Sequence, residues 1–399
     1  MIFVGEKMDY KKLSDLCDVV SGGTPARSRI ECWENGTIPW VKISDLSSKY
    51  IKGTEEKITE TGLKESSAKL LPRGTILFSI FATLGATGIL DIDASTNQAI
   101  AGLTVRDSRT IDPEYLYYYL LSKKTYVNNI GRGVAQNNIN LSILKSLEVP
   151  VPTVDEQRSI ITILNKNDAI ITGKRKVLKA LNELVKARFV EMFGDPELND
   201  KGWPCKTLGD VLSVEPQNGL YKPQSAYKQD GTGTPIVRID AFYDGKVTDF
   251  NKLRRLVCSD AEKEKYTLQE NDIVINRVNS IEYLGKCARI IGMREPTVYE
   301  SNMMRFHVDE TRVDPCFMTR LLCSTFMYRQ ILNRAKKAVN QASINQSDVQ
   351  SFTVIIPPID LQKQFADFVQ HVDKSKAAVQ KSLDETQLLF DSLMQKYFG

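Results

Sequence analysis

The side chains that usually carry reactions are scarce in this chain. Histidine occurs only at His307 and His371, neither in a context that recurs, so imidazole-based acid–base or nucleophilic chemistry has little to work with. A packed or solvent-facing role is expected for both. The Gly-Lys pairs at Gly173, Gly245 and Gly285 are followed by Arg, Val and Cys, so none completes a phosphate-cradling G-x-x-x-x-G-K-[ST] loop. No G-x-G-x-x-G follows a strand pattern, and no Asn-Pro-Pro-aromatic or Asp-Pro-Pro-aromatic tetrapeptide is present to position a base amino group for methyl transfer. Glu55-Glu-Lys57 fits the E-x-K spacing of metal-dependent nucleases, a three-residue match that chance readily supplies. Cysteines stand at Cys17, Cys32, Cys205, Cys258, Cys287, Cys316 and Cys323, an odd number without a C-x-x-C pair, which points to buried free thiols and not to a disulfide framework or zinc site.

The elements that would position any site are duplicated. Ile139-Asn140 recurs as Ile344-Asn345, 205 residues on, and the same offset holds through Pro152/Pro357, Gln157/Gln362, Asp168/Asp373, Leu178/Leu383, Phe193/Phe398 and Gly194/Gly399. Upstream the offset drifts, from 195 at Leu13/Leu208 to 205 at Asn97/Asn302. Insertions therefore concentrate in the front of each repeat, where specificity would sit. Ile38-Pro-Trp-Val-Lys-Ile43 answers Thr234-Pro-Ile-Val-Arg-Ile239, and Gly74-Thr-Ile-Leu-Phe-Ser79 answers Asn271-Asp-Ile-Val-Ile-Asn276, each reading as a short strand. Asp112-Pro and Asp314-Pro each open an amphipathic helix with proline in its first turn.

The back of each repeat reads as one long helix. Leu164, Asn167, Ile171, Lys174, Leu178, Leu181, Val185, Arg188 and Met192 alternate steps of three and four, the seam of a coiled coil. Val369, Val372, Lys376, Val379, Leu383, Thr386, Phe390, Leu393 and Tyr397 do so in the second copy. The first helix, expected over about 155–192 behind a Thr153-Val-Asp-Glu156 capping box, would be roughly 57 Å long. A seam that narrow needs a partner helix, and the repeat supplies one. Asn167 and Lys174 are polar seam positions of the kind that fix register. Because a compact domain returns the chain near where the first helix ended, the two helices are expected to run antiparallel with the globular parts at opposite ends.

Composition agrees with this plan. The 399 residues are 42% hydrophobic and 26% charged with a net charge of +4, ordinary for a soluble chain and compatible with nucleic acid. No run of eighteen apolar residues or basic leader is present, so a cytoplasmic protein with no membrane segment is expected. The fold class is α+β: two α/β domains in tandem, joined by two long helices in an antiparallel coiled coil. The expected boundaries are 8–149 and 206–354 for the domains, 150–194 and 355–399 for the helices, and 195–205 for the linker.

In their order, Gly22-Gly-Thr-Pro25, Pro39-Trp-Val-Lys-Ile43, Gly74-Thr-Ile-Leu-Phe-Ser79, Asn97-Gln-Ala-Ile100, Gln136-Asn-Asn-Ile-Asn140, Pro150-Val-Pro-Thr-Val-Asp-Glu-Gln157 and Glu191-Met-Phe-Gly-Asp-Pro196 make nearly the whole chain resemble the specificity subunit of type I restriction-modification systems. The resemblance implies that each globular half reads one half of a split sequence on double-stranded DNA. It also implies a spacer role for the helices, which would bind two modification (methyltransferase) subunits, with restriction (translocase/endonuclease) subunits joining the complex. No cofactor is implied for this chain, S-adenosylmethionine belonging to the modification subunit. The sequence departs from the family at Phe81-Ala-Thr-Leu-Gly-Ala86, which lacks the basic residues often found there, whereas the second half keeps Arg277 and Lys286.

On that resemblance, DNA contacts call for Arg, Lys, Asn or Gln on loops that enter a groove, with Lys, Arg, Ser or Thr at phosphates. The candidates are Lys42, Thr83, Arg132, Gln136 and Asn137 in the first half. In the second they are Arg238, Arg277, Asn279, Lys336, Lys337 and Gln341, with Arg277 the foremost base reader. Lys42 and Arg238 could equally be solvated strand ends, and Gln136-Asn-Asn-Ile-Asn140 a cap leading into the helix. A methyltransferase with fused specificity, or an orphan DNA-binding scaffold or regulator, are the rival readings.

Overall fold

A computed structural model describes residues 9–131 and 139–399. The chain forms two compact units: the first takes the chain up to Lys176 together with Gln380–Gly399, and the second is Val177–Val379. Among the described residues no helix is long and apolar enough to cross a membrane.

The duplication is repeated strand by strand. In the first unit a five-stranded sheet runs, edge to edge, Cys17–Ser21, Ile100–Val105, Ile76–Ser79, Thr87–Leu90, Tyr50–Ile51. All neighbours are antiparallel except the last pair. The second unit has the same order and directions in Leu212–Asn218, Met303–Val308, Ile273–Asn276, Cys287–Arg289 and Gly245–Val247, with Phe242–Tyr243 added at the edge. A smaller sheet is centred on Ile38–Val41 in one unit and on Thr234–Val237 in the other. The middle strands Ile76–Ser79 and Ile273–Asn276 are buried at every residue, as continuous apolar runs covered on both faces must be.

The helices Pro113–Ser122 and Pro315–Leu322 begin as expected, Asp112 and Asp314 accepting backbone N–H groups of the first turn with proline at its start. Their faces differ from expectation: Tyr115 to Leu120 are six buried residues in succession, so this helix is not amphipathic. It lies between the sheet and the long helices. Tyr115 and Tyr119 meet the Phe398 ring, and the phenol groups of Tyr118 and Tyr119 donate to Asn165 Oδ1 and the Glu148 carbonyl. Polar tips that find acceptors are what permit such burial.

The long helices span Val154–Phe193 and Ile359–Phe398, 40 residues each, the first within one residue of expectation at both ends. Its capping box forms: the Glu156 carboxylate accepts the Thr153 N–H at 2.9 Å, and Thr153 Oγ accepts the Glu156 N–H at 3.4 Å. Each helix gives one half to each unit. In the first unit Lys174 meets Ser382 and Thr386, and in the second Arg188 lies over the Phe368 ring while Phe189 and Phe193 pack on Phe365. Rising numbers in one helix meet falling numbers in the other, so the pair is antiparallel.

Every expected seam residue of both helices is buried or half-buried. Phe189 and Phe365, which the spacing did not mark, are buried as well. Of the two polar seam residues, Lys174 bridges the helices, its ammonium donating to the Ser382 carbonyl and hydroxyl at 2.8 Å and to Thr386 Oγ1 at 2.6 Å. Asn167 instead donates to the Ile163 carbonyl of its own helix and bridges nothing. The cysteines are free thiols, but Cys205 and Cys323 are exposed and Cys258 half-buried. Cys205 lies on an exposed strand, whereas Cys323 follows the Pro315–Leu322 helix with its thiol turned to that of the buried Cys287, 3.5 Å away.

Candidate nucleic-acid interface

In the second unit the middle strand ends at Asn276 and the chain turns into a separate three-stranded sheet. Val278–Asn279 pairs antiparallel with Ala342–Ser343, which pairs antiparallel with Lys336–Lys337. The join is held by the Arg277 N–H, which donates to the Asn302 carbonyl, and by the Ile344 N–H, which donates to the Arg277 carbonyl at 3.0 Å. The hairpin closes where the Ala338 N–H donates to the Gln341 carbonyl at 2.7 Å. Five of the six candidates in this half, Arg277, Asn279, Lys336, Lys337 and Gln341, thus share one small sheet although they are up to 64 residues apart in sequence.

Exposure divides them. Every residue from Lys336 to Gln341 is exposed, while Arg277 and Asn279 are half-buried. Arg277 is held by one bond, Nη1 donating to the Ser301 carbonyl at 3.2 Å, and its Nε is buried without a partner among the described residues. An unpaired buried donor costs free energy. The Asn279 side-chain oxygen accepts the Ser280 N–H, fixing the amide at the sheet edge.

Arg238, the sixth, leaves the Thr234–Val237 strand and points to Glu300, its Nε 3.5 Å from the carboxylate. Tyr227 lies beneath it, the guanidinium 5.4 Å from the ring centre. Glu300 is buried and accepts the Ile239 N–H at 2.7 Å. Burial pushes its carboxyl above the ordinary range against the opposing pull of that N–H and of Arg238. Arg238 therefore has an internal partner, and a freely solvated strand end is not what the structure shows. Lys286 is likewise taken up internally. It lies 3.5 Å from the centre of the Tyr243 ring and donates to the Ile239 carbonyl, and burial lowers its pKa.

In the first unit Lys42 stands at the corresponding strand end, its ammonium 2.9 Å from Glu55 and 2.7 Å from Glu56. These carboxylates raise its pKa, while Arg27 and then Lys42 hold Glu56 below the usual carboxylate range. Arg27 in turn sits over the Trp33 ring. Thr83 is exposed on the loop after Ile76–Ser79 and anchored there by its carbonyl, which accepts the Ser79 hydroxyl. Arg132, Gln136 and Asn137 lie outside the described residues.

Reaction chemistry does not assemble elsewhere among the described residues. His307 is packed between Asp272 and Glu310, 3.0 Å from each carboxylate, and His371 bonds a carbonyl of its own helix. Glu55 of the E-x-K match is spent on Lys42, and no cluster of potential metal ligands occurs. A cavity of about 780 Å³ in the first unit is lined by Tyr119, Lys123, Tyr126, Phe390 and Met394 among others.

One residue of the surface escaped the sequence reading. Val339, at the hairpin tip, is 98% exposed, the most open of the large hydrophobic side chains. The available signal was an aliphatic residue inside the polar run Lys336-Lys-Ala-Val-Asn-Gln341.

Comparison with known proteins bears on the whole chain. The family model described as "Type I restriction modification DNA specificity domain" matches twice, over residues 5–183 and 200–386. The MjaIX specificity subunit of Methanocaldococcus jannaschii is 28% identical, the match covering 97% of this chain and 92% of that protein. The EcoKI specificity subunit of Escherichia coli K12 is 22% identical over 90% of this chain and 82% of its own length. Among solved structures, the type I S subunit from M. genitalium superposes with a TM-score of 0.58 at 16% identity, covering 100% of this chain and 98% of that one. The same strand order built twice around one antiparallel helix pair, matched twice by one domain model, makes this chain a member of the type I restriction-modification specificity family, a specificity subunit with two recognition domains.

Proposed function

We propose that this chain reads a split DNA sequence, one half with each unit, and lends that specificity to modification and restriction subunits that it does not itself replace. The observation that carries the reading is the convergence of Arg277, Asn279, Lys336, Lys337 and Gln341 on one small three-stranded sheet and its ends. Such a surface combines charges for phosphates with amide and guanidinium donors for base edges. In the first unit the proposed contacts are Lys42, at the position that matches Arg238, and Thr83 on the loop after Ile76–Ser79. There Lys42 would exchange the Glu55 and Glu56 carboxylates for DNA phosphate, and Arg132, Gln136 and Asn137 complete the proposed set.

The helices supply the docking face for the modification subunits. Ile163, Ile170, Val177 and Leu184 recur every seventh residue of the first long helix and are 39–48% exposed, an apolar stripe that lies off the paired seam and fits a partner helix. No reaction is assigned to the chain, and S-adenosylmethionine belongs to the modification subunit.

The test is to map methylated sites in a host that makes this chain with its modification subunits. A bipartite motif with a fixed gap is expected, and Gln341→Ala should change bases in one half only. Methylation without a sequence motif, or methyl transfer by the purified chain alone, overturns the reading.

A further inference from the structure

We propose that Val339 is itself a specificity residue: the Lys336–Ser343 hairpin enters the major groove and packs the Val339 side chain against the 5-methyl group of a thymine. This rests on the DNA-reading function proposed above and adds which side chain reads which chemical group.

A single exposed valine on a protein surface needs no explanation, but this one stands at the tip of a hairpin that carries two exposed lysines. It occupies the two-residue loop Val339-Asn340, between Ala338 and Gln341, whose backbones bond each other. A β-branched aliphatic residue gains nothing there from packing within its own fold, being 98% exposed. Its neighbours are Lys336 and Lys337 on one arm and Gln341 on the other, with Arg277 and Asn279 at the adjoining strand. Charge complementarity names a polyanion as what a cationic hairpin with an aliphatic tip would meet.

The repeat offers a second, independent observation. Offset by 205 residues, Val134 stands where Val339 does, Gln136 where Gln341 does and Arg132 where Lys337 does. The positions between them differ, Gly133 against Ala338 and Ala135 against Asn340. Residues 132–138 lie outside the described structure, so this is a correspondence of sequence. The pattern cation, aliphatic, glutamine is kept in both halves while the spacers vary.

Base chemistry then selects the ligand. The thymine methyl is the apolar group that a base pair presents in the major groove, and adenine N6 and N7 suit a glutamine amide. Val339 and Gln341, two residues apart at one hairpin tip, are matched to an A·T pair or to adjacent A·T pairs. Side chains that wedge between base steps are typically the longer Phe, Leu, Ile, Met or the rigid Pro, and valine is too short for that role.

The experiment uses the full chain assembled with its modification subunits on its mapped target. Each thymine of the half-site read by the second unit is replaced in turn by deoxyuridine, which deletes the methyl group and nothing else. At one position the wild-type complex is expected to lose about fourfold in affinity, the worth of one buried methyl. Val339→Ala should lose at least as much on thymine DNA and become indifferent to deoxyuridine there, with circular dichroism unchanged because the side chain is exposed. If no thymine in that half-site responds, or if the effects of the variant and the base change multiply, Val339 does not touch a methyl group although the DNA-reading function stands. A complex that shows no sequence preference on any target overturns both.

Discussion

The side-chain oxygen of Gln362 accepts the backbone N–H of Asp314 at 2.9 Å, tying the start of the second long helix to the cap of the short helix beneath it. Its amide nitrogen donates to the carbonyls of Arg312 and Pro357. In the other unit Gln157 repeats the arrangement with Asp112, Thr110 and Pro152. Both glutamines are fully buried, so each clamp is dry and its geometry orients a recognition domain on its own helix. Replacing Gln157 or Gln362 by Ala orphans one N–H and two carbonyls and is expected to cost about 2–4 kcal/mol in denaturant melts. Glutamate should be no better, because its carboxylate faces two carbonyl oxygens where an NH₂ stood. A glutamate variant of wild-type stability refutes the assignment.

Lys174 tests what the polar seam contributes. Its ammonium has three acceptors on the opposing helix, yet the Thr386 hydroxyl also bonds the Ser382 carbonyl at 2.8 Å and keeps a partner without it. Lys174→Ala removes both donors and packed stem and should cost about 1–2 kcal/mol. Lys174→Met keeps the stem and should cost less than about 1 kcal/mol. Equal losses in chemical denaturation would show that the ammonium, not the stem, holds the seam.

Base and phosphate contacts separate in binding experiments. Arg277→Ala should relax one half-site by about 1–3 kcal/mol and leave the other intact. The double change of Lys336 and Lys337 to Ala should weaken binding evenly over sequences and flatten the salt dependence by about two phosphate contacts. An even loss for Arg277→Ala, with a flatter salt slope, would make it a phosphate contact.

Glu300 gives a pH signature. Burial raises its pKa in the folded chain above the ordinary 4.5. The folded state therefore holds the proton more tightly than the unfolded one between those values. Its contribution to stability is present below 4.5 and lost as pH rises through the raised value. Glu300→Gln keeps an acceptor for the Ile239 N–H and cannot ionise, so its melting temperature should fall less than that of the wild type as pH is raised from 4.5. Parallel curves would show that Glu300 does not titrate within that window.

The long helices were legible because a seam of nine residues is a strong periodic signal, and the duplication was legible because offsets need no structure at all. The Lys336–Lys337 and Ala342–Ser343 strands were not, since two-residue strands carry no period and are made by pairing with Val278–Asn279 far away in sequence. Residue type alone nominated Arg277 and Gln341, which the fold brings to one small sheet, but the acids beside Lys42 and the aromatic ring under Lys286 arise from tertiary contacts. Six adjacent buried residues around Tyr115–Leu120 broke the amphipathic rule because the flanking layers cover every side of that helix.

The sharing of each long helix between the two units also constrains inheritance. A recombination event with crossovers just after Gly194 and just before Pro358 exchanges a recognition domain and leaves both helices in their parental pairing. A crossover inside a helix, near Lys176, joins halves of different ancestry, and Lys174 then meets whatever stands at Ser382 and Thr386 in the other parent. Lineages of such chains can therefore trade reading specificity freely, while the helices must pass on as co-adapted pairs.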